Sequence, residues 1–382
     1  MNKSPATAVA PSLKKRAEEY LNPKMQKFEP YSPNSGITGF EIRLDANESF
    51  FELPEYILED VKGSMQNINF NRYPDPAASE LIRAYAAYLK AAENAEVKTD
   101  NIAAGNGSDE LLSIIINSFL SKGDKILTFV PDFSMYAFYG DIIEADVIKV
   151  QKSGGDNFAI DFGEMADRVN REKIKLVVFS NPCNPTGRLE QKETLEKFIR
   201  SVDAVVVADE VYMSFAEDKK NQSFLYDFLE YPNLIVMKSL SKSIGLAAIR
   251  VGFALSNEVF IDMVKTIKSP YNLNSVSQEI AKTVLGYPGC LSERLDAIVE
   301  NKKKLQKSLK TLFGNKMGFK VYDTETNFVL IETDRAKDIF GFLLENKILV
   351  RNLGGKFLRI TAGSDGENEK LIECLGDYLC DV

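Results

Sequence analysis

Short runs of β-branched and other apolar residues recur through the middle of this 382-residue chain, at 125–130, 174–179, 204–208 and 233–237. They are continuous rather than alternating, the pattern of strands covered on both faces. Amphipathic stretches of helical period lie between them, at 108–121, 162–170 and 189–201. Strand, helix and strand in repetition predict an α/β core built on a mostly parallel, doubly wound sheet. After about residue 275 the pattern changes. A long charged helical stretch, 291–313, precedes strand-like runs at 327–331 and 357–361, which predicts a smaller α+β domain. The expected division is an N-terminal arm, or part of the small domain, over 1–43, a large domain over 44–275 and a small domain over 276–382. There is neither an internal repeat nor a flexible linker, so the two domains are expected to share a large interface.

Histidine is absent from the chain. That removes Ser-His-Asp and Cys-His catalysis and every histidine-ligated metal site. Any proton transfer must use Lys, Tyr, Asp, Glu or a cofactor. The 47 basic and 55 acidic residues leave a net charge of −8 with no basic block, so neither nucleic acid nor an anionic membrane is an expected partner. No apolar run reaches the roughly 20 residues of a membrane span, and the first residues lack the apolar stretch of a signal peptide. The four cysteines form neither CxxC nor zinc spacing. A reduced, cytoplasmic protein without a metal is therefore expected.

Ligands of open α/β sheets bind beyond the carboxyl ends of the strands. Three successive apolar runs end in Ser180-Asn181-Pro182-Cys183-Asn184-Pro185-Thr186-Gly187, in Asp209-Glu210-Val211-Tyr212 and in Lys238-Ser239-Leu240-Ser241-Lys242. Singly, each has an ordinary reading: a turn, a helix cap, a surface charge. Gly105 to Glu110 could likewise be no more than a helix start. Together they offer a lysine, a buried acid, hydroxyls, an amide and an anion site. Pyridoxal phosphate needs such a set: an amine to hold it, an acid at its ring nitrogen and a cradle for its phosphate.

With these motifs the sequence resembles the fold-type-I, pyridoxal-phosphate-dependent aminotransferases of class I/II, most of all their histidinol-phosphate branch. The resemblance runs from Leu44-Asp45-Ala46-Asn47-Glu48 through Asn71-Arg72-Tyr73-Pro74-Asp75 and the motifs above to Arg250-Val251-Gly252 and Leu358-Arg359-Ile360-Thr361. It implies that Lys242 carries the cofactor and moves the substrate proton. By the same resemblance Asp209 pairs with the ring nitrogen, Asn184 and Tyr212 donate to the phenolic oxygen, and Phe133 stacks on the ring. Ser108, Asp109, Ser239, Ser241 and Arg250 hold the phosphate, which Tyr73 reaches from a partner subunit, so a homodimer is implied. Arg359 matches the clamp for a substrate carboxylate, and Tyr31 and Arg351 the contacts for a remote substrate phosphate. The family often has Tyr where Phe133 stands, Asn where Cys183 stands, and Asn-Glu-Asn-Pro in place of Asn47-Glu48-Ser49-Phe50.

The implied reaction passes an amino group from histidinol phosphate, an amino alcohol phosphate, to the 2-oxo acid 2-oxoglutarate. An aromatic amino-acid aminotransferase and a threonine-phosphate decarboxylase are rivals of the same fold. The decarboxylases carry a His-Gly-Gly-Asn segment, which a chain without histidine cannot have. A cofactor-sensing regulator is disfavoured, since only about 40 residues precede the first motif.

Overall fold

A computed structural model of the chain describes residues 11–28, 38–153, 157–314 and 316–380. They fall into two units, divided between Thr38 and Gly39. The first holds a helix, Pro11–Glu18, and a 3-10 turn, Pro23–Lys27, capped by the Asn22 side chain accepting from the Lys24 N–H at 3.2 Å.

The second unit is built on two sheets. Its strands are β1 (Ile42–Leu44), β2 (Ile102–Gly105), β3 (Lys125–Val130), β4 (Asp146–Gln151), β5 (Leu176–Ser180), β6 (Val205–Asp209), β7 (Leu234–Ser239), β8 (Gly252–Leu255), β9 (Phe319–Val321), β10 (Phe328–Thr333), β11 (Ile348–Asn352) and β12 (Phe357–Thr361). Among the described residues, seven strands form the larger sheet in the order β2-β8-β7-β6-β5-β3-β4. Strands β3 to β7 run parallel, and β8 is antiparallel to both β7 and β2.

Alternate residues of these strands enter two separate cores. Leu127, Phe129, Val177, Phe179, Val206, Ala208, Leu234 and Val236 pack on one face. Ile126, Leu176, Val178, Val207, Ile235 and Met237 pack on the other. Because both faces are dry, the runs are continuously apolar in sequence.

The smaller sheet has the order β1-β11-β12-β10-β9, with β1 parallel to β11 and the other pairs antiparallel. Its core gathers Leu44, Leu305, Leu309, Val329, Leu343, Val350, Leu358 and Leu371. Four of these come from helices: Leu305 and Leu309 in Pro288–Phe313, Leu343 in Ala336–Glu345 and Leu371 in Asp365–Cys380. No helix of the described residues is long and apolar enough to cross a membrane.

Candidate active site

Strands β5, β6 and β7 are adjacent and parallel, so their carboxyl ends open on one rim. Ser180, Asp209 and Ser239 end them. Asp209 is buried; its Oδ2 accepts from the Tyr136 hydroxyl at 2.7 Å and its Oδ1 from the Val211 N–H at 3.1 Å. Burial pushes this carboxyl up to about 6 despite those two bonds. Both donors are neutral, and a carboxylate in such a place is stabilised by a cation.

Asn184 and Tyr212 lie on the same rim. The Asn184 Oδ1 accepts from Arg359 Nη1 at 2.7 Å, which joins the loop after β5 to β12 of the other sheet. The buried Tyr212 hydroxyl accepts from Asn47 Nδ2 at 2.8 Å, leaving its own proton for another acceptor. Asn47 is held in a left-handed conformation, φ 54°, by Thr361, which accepts from its N–H at 3.0 Å and donates to its Oδ1 at 3.1 Å. Arg359 also donates to the Asp45 carbonyl at 2.7 Å and lies over the Phe328 ring at 5.3 Å. Across the β11–β12 pair Arg351 stands directly opposite Arg359, so both guanidiniums leave the same face of the sheet. Tyr31 lies outside the described residues.

A backbone cradle closes one end of the site. Helix Ser108–Phe119 starts after Gly107, whose φ of 87° suits glycine. A Cβ on Gly107 would come within 2.6 Å of the Arg250 guanidinium, and one on Gly252 within 2.5 Å of the Ser108 nitrogen. The two glycines therefore let β8, the helix start and Arg250 meet. Arg250 donates to Ser241 Oγ at 3.4 Å, and the Ser241 N–H to Ser239 Oγ at 3.1 Å. A helix N-terminus, two hydroxyls and a guanidinium converge there, as anion binding requires. Asp109 Oδ1 is buried and finds no hydrogen-bond partner among the described residues. Burial raises its carboxyl, while Arg250 and Lys242 pull the other way.

Lys242 donates to the Ala46 carbonyl at 2.9 Å. Burial, with Arg359 and Arg250 adding to it, pushes its amine down to about 8, against Glu48 and Asp109. An amine so placed is a nucleophile and base near neutral pH. Phe133, half-buried, meets Tyr136 edge-on at 5.6 Å. Tyr73 stands apart: it is 80% exposed and stacks on Tyr271 at 4.5 Å.

The fold and this rim define a class. The chain matches the sequence profile of aminotransferase class I and II over residues 41–375, and it belongs to that family. It is 38% identical to the histidinol-phosphate aminotransferase of Clostridium novyi, over 94% of this chain and 97% of that one. To the enzyme of the same name from Clostridium kluyveri it is 37% identical, over 95% and 99% of the two chains. The crystal structure of histidinol-phosphate aminotransferase from Sinorhizobium meliloti, in complex with pyridoxal-5'-phosphate, has the same fold. It superposes with a TM-score of 0.83 over 95% of this chain and 98% of that one, at 22% identity.

The residues present fit pyridoxal phosphate on three counts. Among the described residues a buried acid is served by neutral donors alone, a two-glycine cradle is lined by cation and hydroxyls, and burial pushes an amine down to about 8. Sequence reasoning passed over three side chains of the rim. Tyr136 holds Asp209, Asn47 holds Tyr212, and Asn327 donates to the Asn47 carbonyl at 3.2 Å. Asn47 sits inside the Leu44–Glu48 motif, and Tyr136 lies three residues past Phe133. Nothing local marks Asn327, whose partner lies 280 residues away.

Proposed function

We propose that this aminotransferase moves the amino group of histidinol phosphate to 2-oxoglutarate, giving imidazole-acetol phosphate and glutamate in two half reactions. Relatives of that name at 37–38% identity along nearly the whole chain support the substrate. The observation in the fold that carries it is the pair of arginines at opposed positions of β11 and β12. Donor and acceptor each bring anionic groups, a phosphate on one and two carboxylates on the other. A rigid strand pair with two guanidiniums can serve both in turn.

Lys242, Asp209 and Tyr212 are the catalytic groups in this reading. Pyridoxal phosphate, when bound, draws electrons from the substrate Cα so that its proton becomes removable. Lys242 would take that proton from substrate Cα and deliver it to C4′ of the cofactor. Its amine is suited to this because burial leaves much of it neutral near pH 8. Asp209 keeps the ring nitrogen protonated. Asn184 and Tyr212 would donate to the phenolic oxygen, and Phe133 would stack on the ring. The backbone N–H groups of Ser108 and Asp109 at the helix start, with the side chains of Ser239, Ser241 and Arg250, would hold the phosphate. Arg359 would clamp the α-carboxylate of the 2-oxo acid, and Arg351 with Tyr31 would take the phosphate of histidinol phosphate.

The working unit is a cytoplasmic homodimer, in which the exposed Tyr73 reaches the partner's cofactor phosphate. In this reading residues 44–275 are the cofactor-binding domain, 276–382 the smaller one and 1–43 an arm or part of the smaller one, whose sheet includes β1. A second reading, an aromatic amino-acid aminotransferase, draws on Phe50 and Phe51, which pack with Tyr212 and Phe328.

The experiment is an absorbance titration of the loaded enzyme with histidinol phosphate in the absence of an oxo acid. Complete amination of the cofactor, with L-histidinol and phenylalanine much slower, is the expected result. Equal reaction with phenylalanine or tyrosine transfers the case to the aromatic reading. Silence with every donor defeats both.

A further inference from the structure

Behind the rim lies a buried polar cluster that the chemistry above does not use. Lys152, just past β4, is buried, with its Nζ 3.1 Å from Asp132 Oδ2 and 2.9 Å from Cys183 Sγ. The Asp132 side chain is fully enclosed. Its Oδ1 accepts from the backbone N–H of Phe133 at 2.8 Å and from the Ser180 hydroxyl. Ser180 Oγ in turn accepts from the backbone N–H of Asn184 at 3.2 Å. One ion pair thus reaches the main chain of both residues set against the cofactor ring.

Packing alone does not call for such a pair, because apolar side chains of similar volume commonly replace buried ion pairs without loss of stability. What apolar residues cannot supply is direction. The cluster ties together the end of β4, the segment 131–134 and the loop after β5 at fixed angles. Burial by itself would make the Lys152 amine less basic, but Asp132 and Cys183 more than reverse this. Burial also pushes the Cys183 thiol up, so the bond runs from an ammonium to a neutral sulfur.

We propose that Lys152 is a positioning residue for the cofactor: through Asp132 it fixes Phe133, and through Asp132 and Ser180 it fixes Asn184. The proposal rests on the pyridoxal-phosphate reading of the rim. It also has an electrostatic side. Asp132 faces Lys152 beyond β4, Cys183 after β5, Asp209 at the end of β6 and Tyr136 in the helix Met135–Ile142, and its charge raises the Asp209 carboxyl. Without Lys152 an unbalanced negative charge would sit beside the ring.

The test uses the enzyme loaded with pyridoxal phosphate and reads the visible circular dichroism of the bound cofactor, which reports how the protein holds the ring. Lys152→Met is expected to change that signal about twofold or more and to weaken cofactor retention about tenfold. It should lower kcat by about tenfold while leaving KM for the donor nearly unchanged. The pH midpoint of the cofactor's absorbance change should move up, since the remaining Asp132 charge favours protonated forms nearby. Lys152→Met also strands a buried carboxylate, which burdens folding. Asp132→Asn/Lys152→Met, with balanced charge but no tie to β4, is therefore made alongside. A double variant with wild-type thermal stability and altered dichroism supports the proposal. Wild-type dichroism in the double variant overturns it, for then the pair only balances charge. Lys192→Met is the control. It breaks a half-buried pair with Asp227, 2.6 Å apart, and should lower stability without touching the signal. The same dichroism change in the control would also overturn the proposal. A wild-type protein that takes up no pyridoxal phosphate defeats the underlying reading before any variant is compared.

Discussion

Burial holds the Asp209 carboxyl near 6, while in the unfolded chain it ionises near 4. The folded state therefore binds this proton more tightly. Its contribution to stability is whole below about pH 4, falls as pH rises to about 6 and stays low above that. In the cofactor-free protein the ionised residue costs up to about 3 kcal/mol at neutral pH, from roughly two units at 1.36 kcal/mol each. Asp209→Asn should accordingly raise the melting temperature of the cofactor-free protein near pH 7.5 while abolishing transamination. With pyridoxal phosphate added the order should reverse, because the ring nitrogen gives the wild-type charge a partner that the amide lacks. A variant that melts below wild type without cofactor would show that Asp209 is a structural anchor instead. Lys242 gives a kinetic counterpart. Only the neutral amine can capture the cofactor's aldehyde, and this amine is pushed down to about 8. The rate of cofactor uptake, followed by stopped-flow absorbance, should climb with pH to a plateau just above 8. A rate still climbing at about pH 10 means that the lysine keeps its ordinary basicity.

The buried strands were the legible elements. The runs at 125–130, 174–179, 204–208 and 233–237 became β3, β5, β6 and β7 with ends moved by a residue or two, because strands dry on both faces leave an unbroken apolar signature. The three side chains at their carboxyl ends followed from that alone. β8 left no comparable sign: it is four residues long, starts with glycine and runs against its neighbours. Among the described residues β1 pairs with β11 alone, some three hundred residues further on, and no local pattern encodes such a pairing. Yet β8 decides the shape of the anion cradle. A Cβ at Gly252 meets backbone atoms, Ser108 N at 2.5 Å and Gly107 C at 2.7 Å, which cannot rotate away. Gly252→Ala should push the helix start off β8 and weaken retention of pyridoxal phosphate by about tenfold or more, measured by dialysis against a trapping amine. Gly366→Ala is the comparison, since a Cβ there meets nothing within 4 Å. Equal loss in both variants would remove the cradle from the argument.

At the scale of the whole molecule the question is whether one chain makes one site. The rim supplies a lysine, an acid, hydroxyls and arginines from a single chain. Tyr73, by contrast, is exposed and stacked on Tyr271, with no contact to Lys242 or Arg250 among those described. If it serves the partner's phosphate, its loss and the loss of Lys242 fall on different sites of a mixed dimer. Lys242→Ala lacks the amine but still lends a tyrosine; Tyr73→Ala keeps the amine and borrows the tyrosine. Homodimers of either variant should be nearly inactive. In an equal mixture reassembled after joint unfolding, half of the dimers are mixed and each holds one complete site, so activity should return to about a quarter of wild type. Returned activity that rises with the mixed fraction, resolved by tagging one variant, ties catalysis to the dimer. If the mixture stays as inactive as its parts while both variants dimerise, each chain completes its own site, and Tyr73 belongs to the surface.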